Sequence, residues 1–173
     1  MHFTSYSLYP LTCNLQFKSK KMNQSSPALT QGENFAVADL GAFSQLSQYS
    51  FGIPGKSFKF KGKVFLKELL NLTSAEISLN NLQPQQSIPF YHKHRLNEEI
   101  YIFVGGEGEF QVDSNILPLK EGTIVRVDPQ GERCLRNTLD TVALTWIVVQ
   151  SRADSHPENT IQDGFRVKKQ VNW

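Results

Sequence analysis

Between Pro89 and Phe110 the chain reads PFYHKHRLNEEIYIFVGGEGEF. His92 and His94 stand two residues apart, so on an extended strand both imidazoles project from the same side. Glu98 and Glu99 follow after a short turn. Two histidines and one carboxylate brought to one face form the ligand set that suits non-haem iron or manganese. Glu99 shares its side of a regular strand with Tyr101 and Phe103, which puts those two rings beside any ligand bound there. Glu98 sides with Ile100 and Ile102. Because Arg95-Leu96-Asn97 turns the chain between the histidines and the carboxylates, parity alone leaves both glutamates open. A plainer reading takes His92-Lys93-His94-Arg95 as a solvated basic strand end. The placed carboxylates and the glycine turn downstream favour the site.

These side chains need strands to hold them, and the surrounding pattern supplies strands. Phe58-Lys59-Phe60-Lys61-Gly62-Lys63-Val64 alternates apolar and basic residues, as a half-buried strand does. Its lysines fit a protected sheet edge better than a phosphate-binding stripe. Short strands are expected at Phe65–Leu70, around Ala75, Ile77 and Leu79, and over Ile100–Val104. Glu107–Val112 and Ile116–Leu119 flank Asp113-Ser114-Asn115, a good hairpin turn. Further strands are expected at Thr123–Val127, Arg133–Asn137 and Thr141–Gln150; the last is almost continuously apolar and so central. Many short strands with regular turns argue for an all-β sandwich or barrel. Asp39–Tyr49 has the spacing of a short helix through Leu40, Phe43 and Leu46. The expected organisation is an irregular N-terminal segment over residues 1–50, a barrel over 51–150, and a tail over 151–173 that docks back through Phe165, Val167, Val171 and Trp173.

Composition narrows the class. With 173 residues, 39% hydrophobic and 20% charged, the chain suits one soluble core. A net charge of +2 implies no nucleic-acid partner. No apolar run is long enough to cross a bilayer, so no membrane partner is expected. The two cysteines, Cys13 and Cys134, suggest no disulfide framework and fit a reducing, cytoplasmic setting. In the head, Lys18, Lys20 and Lys21 follow the weakly apolar part rather than precede it, against a secretory signal. Met22 is the expected biological start, with residues 1–21 an upstream or disordered arm; a targeting peptide is the competing reading. Gly105-Gly106-Glu107-Gly108 lacks the third glycine and the helix of a dinucleotide loop. Cys134 reads as a packed thiol, and Trp146 as core.

The order His92-x-His94-x4-Glu99-x6-Gly106 resembles the first sequence motif of the cupin family. Residues 107–121 separate it from Gly122, which opens a stretch similar to the second cupin motif, closed by Asn137. The resemblance runs from about Ser57 to Gln150 and is similar to that of small bacterial conserved-barrel cupins. It implies a double-stranded β-helix, or jelly roll, with metal ligands inside the barrel mouth. Carried over by position, His92, His94 and Glu99 are the implied ligands of a divalent metal (iron, manganese or zinc). Homodimers are common in the family, and a homodimer is expected here.

The second motif departs from the pattern at the position that matters most. Arg133 stands where the family has its fourth ligand, a histidine. A guanidinium stays protonated and has no lone pair to give a metal. Three arrangements follow. The site holds a metal through three residues; or Arg133 pairs with Glu99 and the site holds none; or Arg133 clamps the carboxylate or phosphate of a ligand beside the metal. The expected function is therefore a cupin-like protein binding a divalent metal and a small polar or anionic molecule. If it is an enzyme, it is a mononuclear oxygenase or isomerase. The alternative is a metal-free binding or sensing barrel.

Overall fold

The computed structural model describes residues 27–52, 59–156 and 163–173. Cys13 and the expected start at Met22 lie outside them. Strands β1 (Ala28–Gln31) and β2 (Ala36–Asp39) make a hairpin, followed by a 3-10 turn at Phe43–Gln48. Strand β3 (Ser50–Gly52) pairs with β4 (Lys59–Lys61). Then come β5 (Lys63–Phe65), the single helical turn α1 (Lys67–Leu70), and β6 (Glu76–Leu82). The remaining strands are β7 (Asn97–Gly105), β8 (Glu107–Val112), β9 (Asn115–Lys120), β10 (Ile124–Val127), β11 (Arg133–Asn137) and β12 (Leu144–Arg152).

Two antiparallel sheets face each other. The larger has the order β10-β7-β12-β6-β5 and the smaller β11-β8-β9. Tyr101, Phe103, Trp146 and Val148 from the larger sheet meet Phe110, Leu119 and Leu135 from the smaller in one buried cluster. Among the described residues the sheets are not hydrogen-bonded into a closed barrel; the architecture is all-β, as the strand pattern led one to expect, and it is the jelly roll that the cupin resemblance implied. β12 lies between β7 and β6, as its apolar run required. The β7–β8 turn depends on Gly106, whose φ is +80°; a Cβ there would lie 2.4 Å from the Ala143 carbonyl oxygen.

Three local expectations change. The alternating segment before Val64 is not one strand. Gly62 breaks it at φ +79°, where a Cβ would meet the Asn81 carbonyl at 2.2 Å. Its two strands belong to different sheets. Phe65–Leu70 turns into α1 instead of remaining extended. Asn71 ends that turn in the left-handed region, and the Glu76 carboxylate accepts the Lys67 N–H at 3.0 Å. The helix expected over Asp39–Tyr49 is the shorter 3-10 turn, with Leu46 buried and no side chain capping its start.

Residues 27–50 carry more regular structure than the irregular segment expected there, and they have a definite task. Leu40, Leu46, Tyr49 and Val64 form a second cluster against the outer side of β5 and β6, joined by Leu79. Asn81 ties β6 to this layer by donating to the Phe43 carbonyl at 2.9 Å. With its apolar outer row covered in this way, β6 can turn the polar row Ser78 and Asn80 inward. Both are buried. The tail differs from its expectation: Phe165, Val167, Val171 and Trp173 are all exposed, so the expected docking on the barrel is not seen.

Candidate functional site

The inward row of the larger sheet follows from its register. Glu99, Tyr101 and Phe103 on β7 are paired with Gln150, Val148 and Trp146 on β12. Val148 and Trp146 are paired in turn with Ser78 and Asn80 on β6, and these two with Phe65 and Lys63 on β5. Directly paired residues project to one side of a sheet, so all of these look into the space between the sheets. Arg133 enters from the opposite side on β11. His92 is tied to it by a two-way backbone bridge, with N···O distances of 3.2 and 3.1 Å. His94 is fixed by its own N–H, which donates to the Pro129 carbonyl at 3.0 Å.

His92, His94 and Glu99 converge. One ligand atom from each lies within 4.8 Å of the others, and among the described residues this is the group that could hold a metal ion. Glu98 instead leans toward Arg126, 3.8 Å away. The two oxygens of Glu99 have separate partners. Oε2 accepts from Arg133 Nη2 at 2.6 Å, Arg133 Nε at 3.1 Å and the Tyr101 hydroxyl at 2.5 Å. Oε1 faces His94 Nε2 at 3.1 Å. His92 Nε2 stands 3.8 Å from Oε2, too far for a hydrogen bond, and His92 Nδ1 is buried without a partner.

Burial alone would push the Glu99 carboxyl up. His92 close by, the Tyr101 and Arg133 hydrogen bonds and the Arg133 charge outweigh it and hold Glu99 well below the usual carboxylate range. Tyr101 moves the other way. Burial, then the Glu99 charge and its hydrogen bond, keep the phenol protonated far above its ordinary value. Arg133 is held in its charged form: burial opposes the charge, and the bonds to Glu99 and Tyr101 more than offset it. The His94 pKa is lowered, chiefly by burial and against the pull of Glu99, so the ring favours its neutral form. A neutral imidazole and an ionised carboxylate are the protonation states in which these groups ligate metals.

The residues therefore fit a divalent ion. Glu99 Oε1 and the histidine nitrogens make a mixed N/O donor set, and His92 Nδ1 is an orphaned buried atom. Arg133 and Tyr101 support Glu99 from behind, through the oxygen that does not face His94. A cavity of about 50 Å³ lies beside the group, with Lys63, His92, Glu99, Tyr101, Arg133 and Trp146 in its walls.

Of the residues expected to meet a ligand, Tyr101 lines this cavity but spends its hydroxyl on Glu99. Phe103 does not line it. It is 1% exposed and packs against Phe110 and Trp146, because β7 carries it one turn of the pleat deeper into the core. Arg133 is fully buried, and its third nitrogen, Nη1, donates to the Gly131 carbonyl at 2.8 Å. The Arg133–Glu99 contact foreseen in one of the three arrangements is present, and it leaves Glu99 Oε1 facing His94.

Two residues of the site were not singled out from the sequence. Gln150 places its amide nitrogen 2.9 and 3.0 Å from the two ring nitrogens of His94. Only the β12–β7 register, which pairs Gln150 with Glu99, brings it there. Lys63 was read with Lys59 and Lys61 as part of one protected edge. Lys59 and Lys61 are exposed, but Gly62 resets the strand and Lys63 points inward.

The comparisons agree with this geometry. The family profile described as Cupin domain matches residues 78–150. A cupin protein from Bacteroides fragilis is 30% identical over 68% of this chain and 94% of its own, with a TM-score of 0.58. A protein described as a predicted oxalate decarboxylase, from Thermotoga maritima, shares the fold. It is 24% identical over 64% of this chain and 96% of its own, with a TM-score of 0.51. No curated protein matches the chain. An all-β jelly roll with an inward histidine and glutamate group defines the class, and this chain belongs to the cupin family.

Proposed function

We propose that the protein binds a divalent metal through His92, His94 and Glu99, and beside it a small polar or anionic molecule in the barrel. The observation that carries this reading is the division of labour on Glu99. Arg133 and Tyr101 hold one oxygen, and the other stays turned toward His94. A carboxylate pinned this way keeps its orientation and its charge at neutral pH, which a ligand must do. Iron, manganese and zinc all suit the donor set. A metal bound there would supply Lewis-acid polarisation of a ligand oxygen. The chain's own residues would hold the metal and the ligand, with Trp146, Val148 and Phe110 keeping the inner wall apolar. If the protein is catalytic, the reaction class is that of a mononuclear metal oxygenase or isomerase. Cytoplasmic placement and a homodimer belong to the same reading.

One observation favours a second reading. The Arg133 cation touches the same carboxylate that would serve the metal, and a contacting cation weakens metal binding. The alternative is a metal-free barrel that binds a small ligand without catalysis. Elemental analysis of untagged protein beside a His92→Ala/His94→Ala variant separates the two. Stoichiometric metal in the parent and none in the variant is the expected result. Parent protein that takes up neither iron, manganese nor zinc would refute the metal.

A further inference from the structure

One of the roles read for Arg133 from the sequence is to bind an anion, and the structure commits Arg133 elsewhere. Its Nε and Nη2 are spent on Glu99 and its Nη1 on Gly131, and none of its surface is open. Lys63 is differently placed. Its side chain lines the same cavity from β5, and its ammonium lies 2.8 Å from Asn80 Oδ1, 3.2 Å from Ser78 Oγ and 4.7 Å from the centre of the Phe65 ring. Both hydrogen-bond partners are neutral. No carboxylate among the described residues comes within ion-pair distance of Nζ. Glu99 faces the same cavity, but its charge is already matched by Arg133.

We propose that Lys63 is the cation that receives the anionic group of the barrel's ligand, and that the ligand is a short-chain carboxylate. The charges argue for an anion. One carboxylate, Glu99, shares the cavity with two cations, Arg133 and Lys63, so one positive charge is left without a partner. A half-buried ammonium held only by neutral acceptors pays for lost hydration without Coulombic return, and an arriving anion supplies that return. The lowered pKa of Lys63, about 8, has this origin: burial lowers it, and the pull of Glu99 and Glu76 only partly offsets the effect. The volume argues for a short ligand. About 50 Å³ accommodates roughly three to five water-sized positions, which matches a two- or three-carbon acid. With its carboxylate on Lys63, a hydroxyl or keto oxygen of such an acid would face the His92, His94 and Glu99 group.

This inference rests on the ligand half of the proposed function, and the test separates it from the metal half. Glycolate and its neutral isostere glycolamide are titrated calorimetrically into the whole protein, both metal-free and with Mn(II). Lys63→Met and Lys63→Arg are treated in the same way. Glycolate is expected to bind parent protein more tightly than glycolamide. Lys63→Met should weaken glycolate at least tenfold without changing glycolamide, and Lys63→Arg should restore most of the loss. In parent protein, the carbon-13 resonance of Lys63 Cε should titrate at higher pH once glycolate is present, a readout that survives if Lys63→Met fails to fold. Equal binding of glycolate by parent and Lys63→Met, no preference over glycolamide, or an unmoved Lys63 titration would overturn the proposal. Mn(II) uptake followed by electron paramagnetic resonance reports on the metal separately. Lys63-dependent glycolate binding without Mn(II) uptake removes only the metal reading; Mn(II) uptake with a silent Lys63 removes only this one.

Discussion

Arg133 and Glu99 form a closed pair inside the barrel, joined by a 2.6 Å contact from Nη2 and a 3.1 Å contact from Nε to a single carboxylate oxygen. Arg133 is wholly buried and Glu99 nearly so. The pair occupies the position where the resemblance to cupins implies a fourth ligand. It also fixes which Glu99 oxygen remains available to His94. A buried ion pair contributes little to stability over well-packed apolar residues, yet losing one partner is costly. Arg133→Met should therefore destabilise the fold by about 3–5 kcal/mol, because Glu99 is left buried without its cation. The double change Arg133→Met/Glu99→Leu should recover most of that loss. Urea unfolding of the two variants and the parent measures the difference; a double variant no more stable than the single would contradict this account.

Tyr101 donates to the same oxygen as Arg133. Tyr101→Phe removes that charge-assisted bond while keeping the ring against Phe110. The expected cost is about 1.5–3 kcal/mol, read from the shift of the denaturation midpoint at constant slope. A change within error would mean that Arg133 alone sets the Glu99 carboxylate.

The pH profile of stability follows from the directions of three shifts. The folded pKa of Glu99 is depressed, so its contribution is complete above the unfolded carboxylate value of about 4.3 and declines as pH falls below it. His94 is also depressed, and the unfolded chain takes up its proton first, so stability begins to fall below about pH 6.5. Lys63 acts at the other end. Between its folded value of about 8 and the unfolded value of about 10.4, the unfolded chain holds the extra proton, so stability rises with pH there. Glu99→Gln should flatten the acid limb below pH 4.3, and Lys63→Met should flatten the rise above pH 8. Melting temperatures across pH 3–10 provide the check.

Asn137 is a structural joint. Its amide nitrogen donates to the Leu82 and Val142 carbonyls at 3.0 and 2.9 Å, and its oxygen accepts the Leu139 N–H at 2.9 Å. The residue is 2% exposed, so Asn137→Ala leaves buried groups unpaired. A loss of about 2–3 kcal/mol is expected, with no direct effect on the His92, His94 and Glu99 group. A neutral result would show that water replaces the amide there.

Gln150 bears on the metal reading. Its amide lies against the His94 ring, where it constrains the ring's orientation. Gln150→Leu should lower Mn(II) affinity by about 10-fold or more with the fold unchanged, as loss of an outer-shell partner does. Unaltered affinity in the variant would place the control of His94 elsewhere, in the backbone bond to Pro129.

Much of the architecture was legible because short-range patterns carry it. Alternation and turn residues located β7, the β8–β9 hairpin, β10, β11 and the central β12. The spacing from His92 to Gly106 located the histidine and glutamate group, since strand periodicity and a glycine-only turn act over few residues. Asn97–Glu98–Glu99 was ambiguous from the pattern, because the preceding turn erases parity. Pairing of Glu99 with Val127 and Gln150 is what directs it inward.

What the chain determined by itself was therefore the family of strands and the residues with ligand chemistry. What only the tertiary structure decided was which of them meet. Lys63 looked like one more edge lysine until Gly62 and the pairing with Asn80 turned it inward. Ser78 and Asn80 face the interior because the N-terminal layer buries the other side of β6. Arg133 stood open between a ligand clamp and a partner for Glu99 until the fold brought its guanidinium within 2.6 Å of that carboxylate, 34 positions earlier. Side-chain direction is local to a strand, but the partner it meets depends on sheet register and on what covers the opposite face, and both are set by contacts distant in sequence.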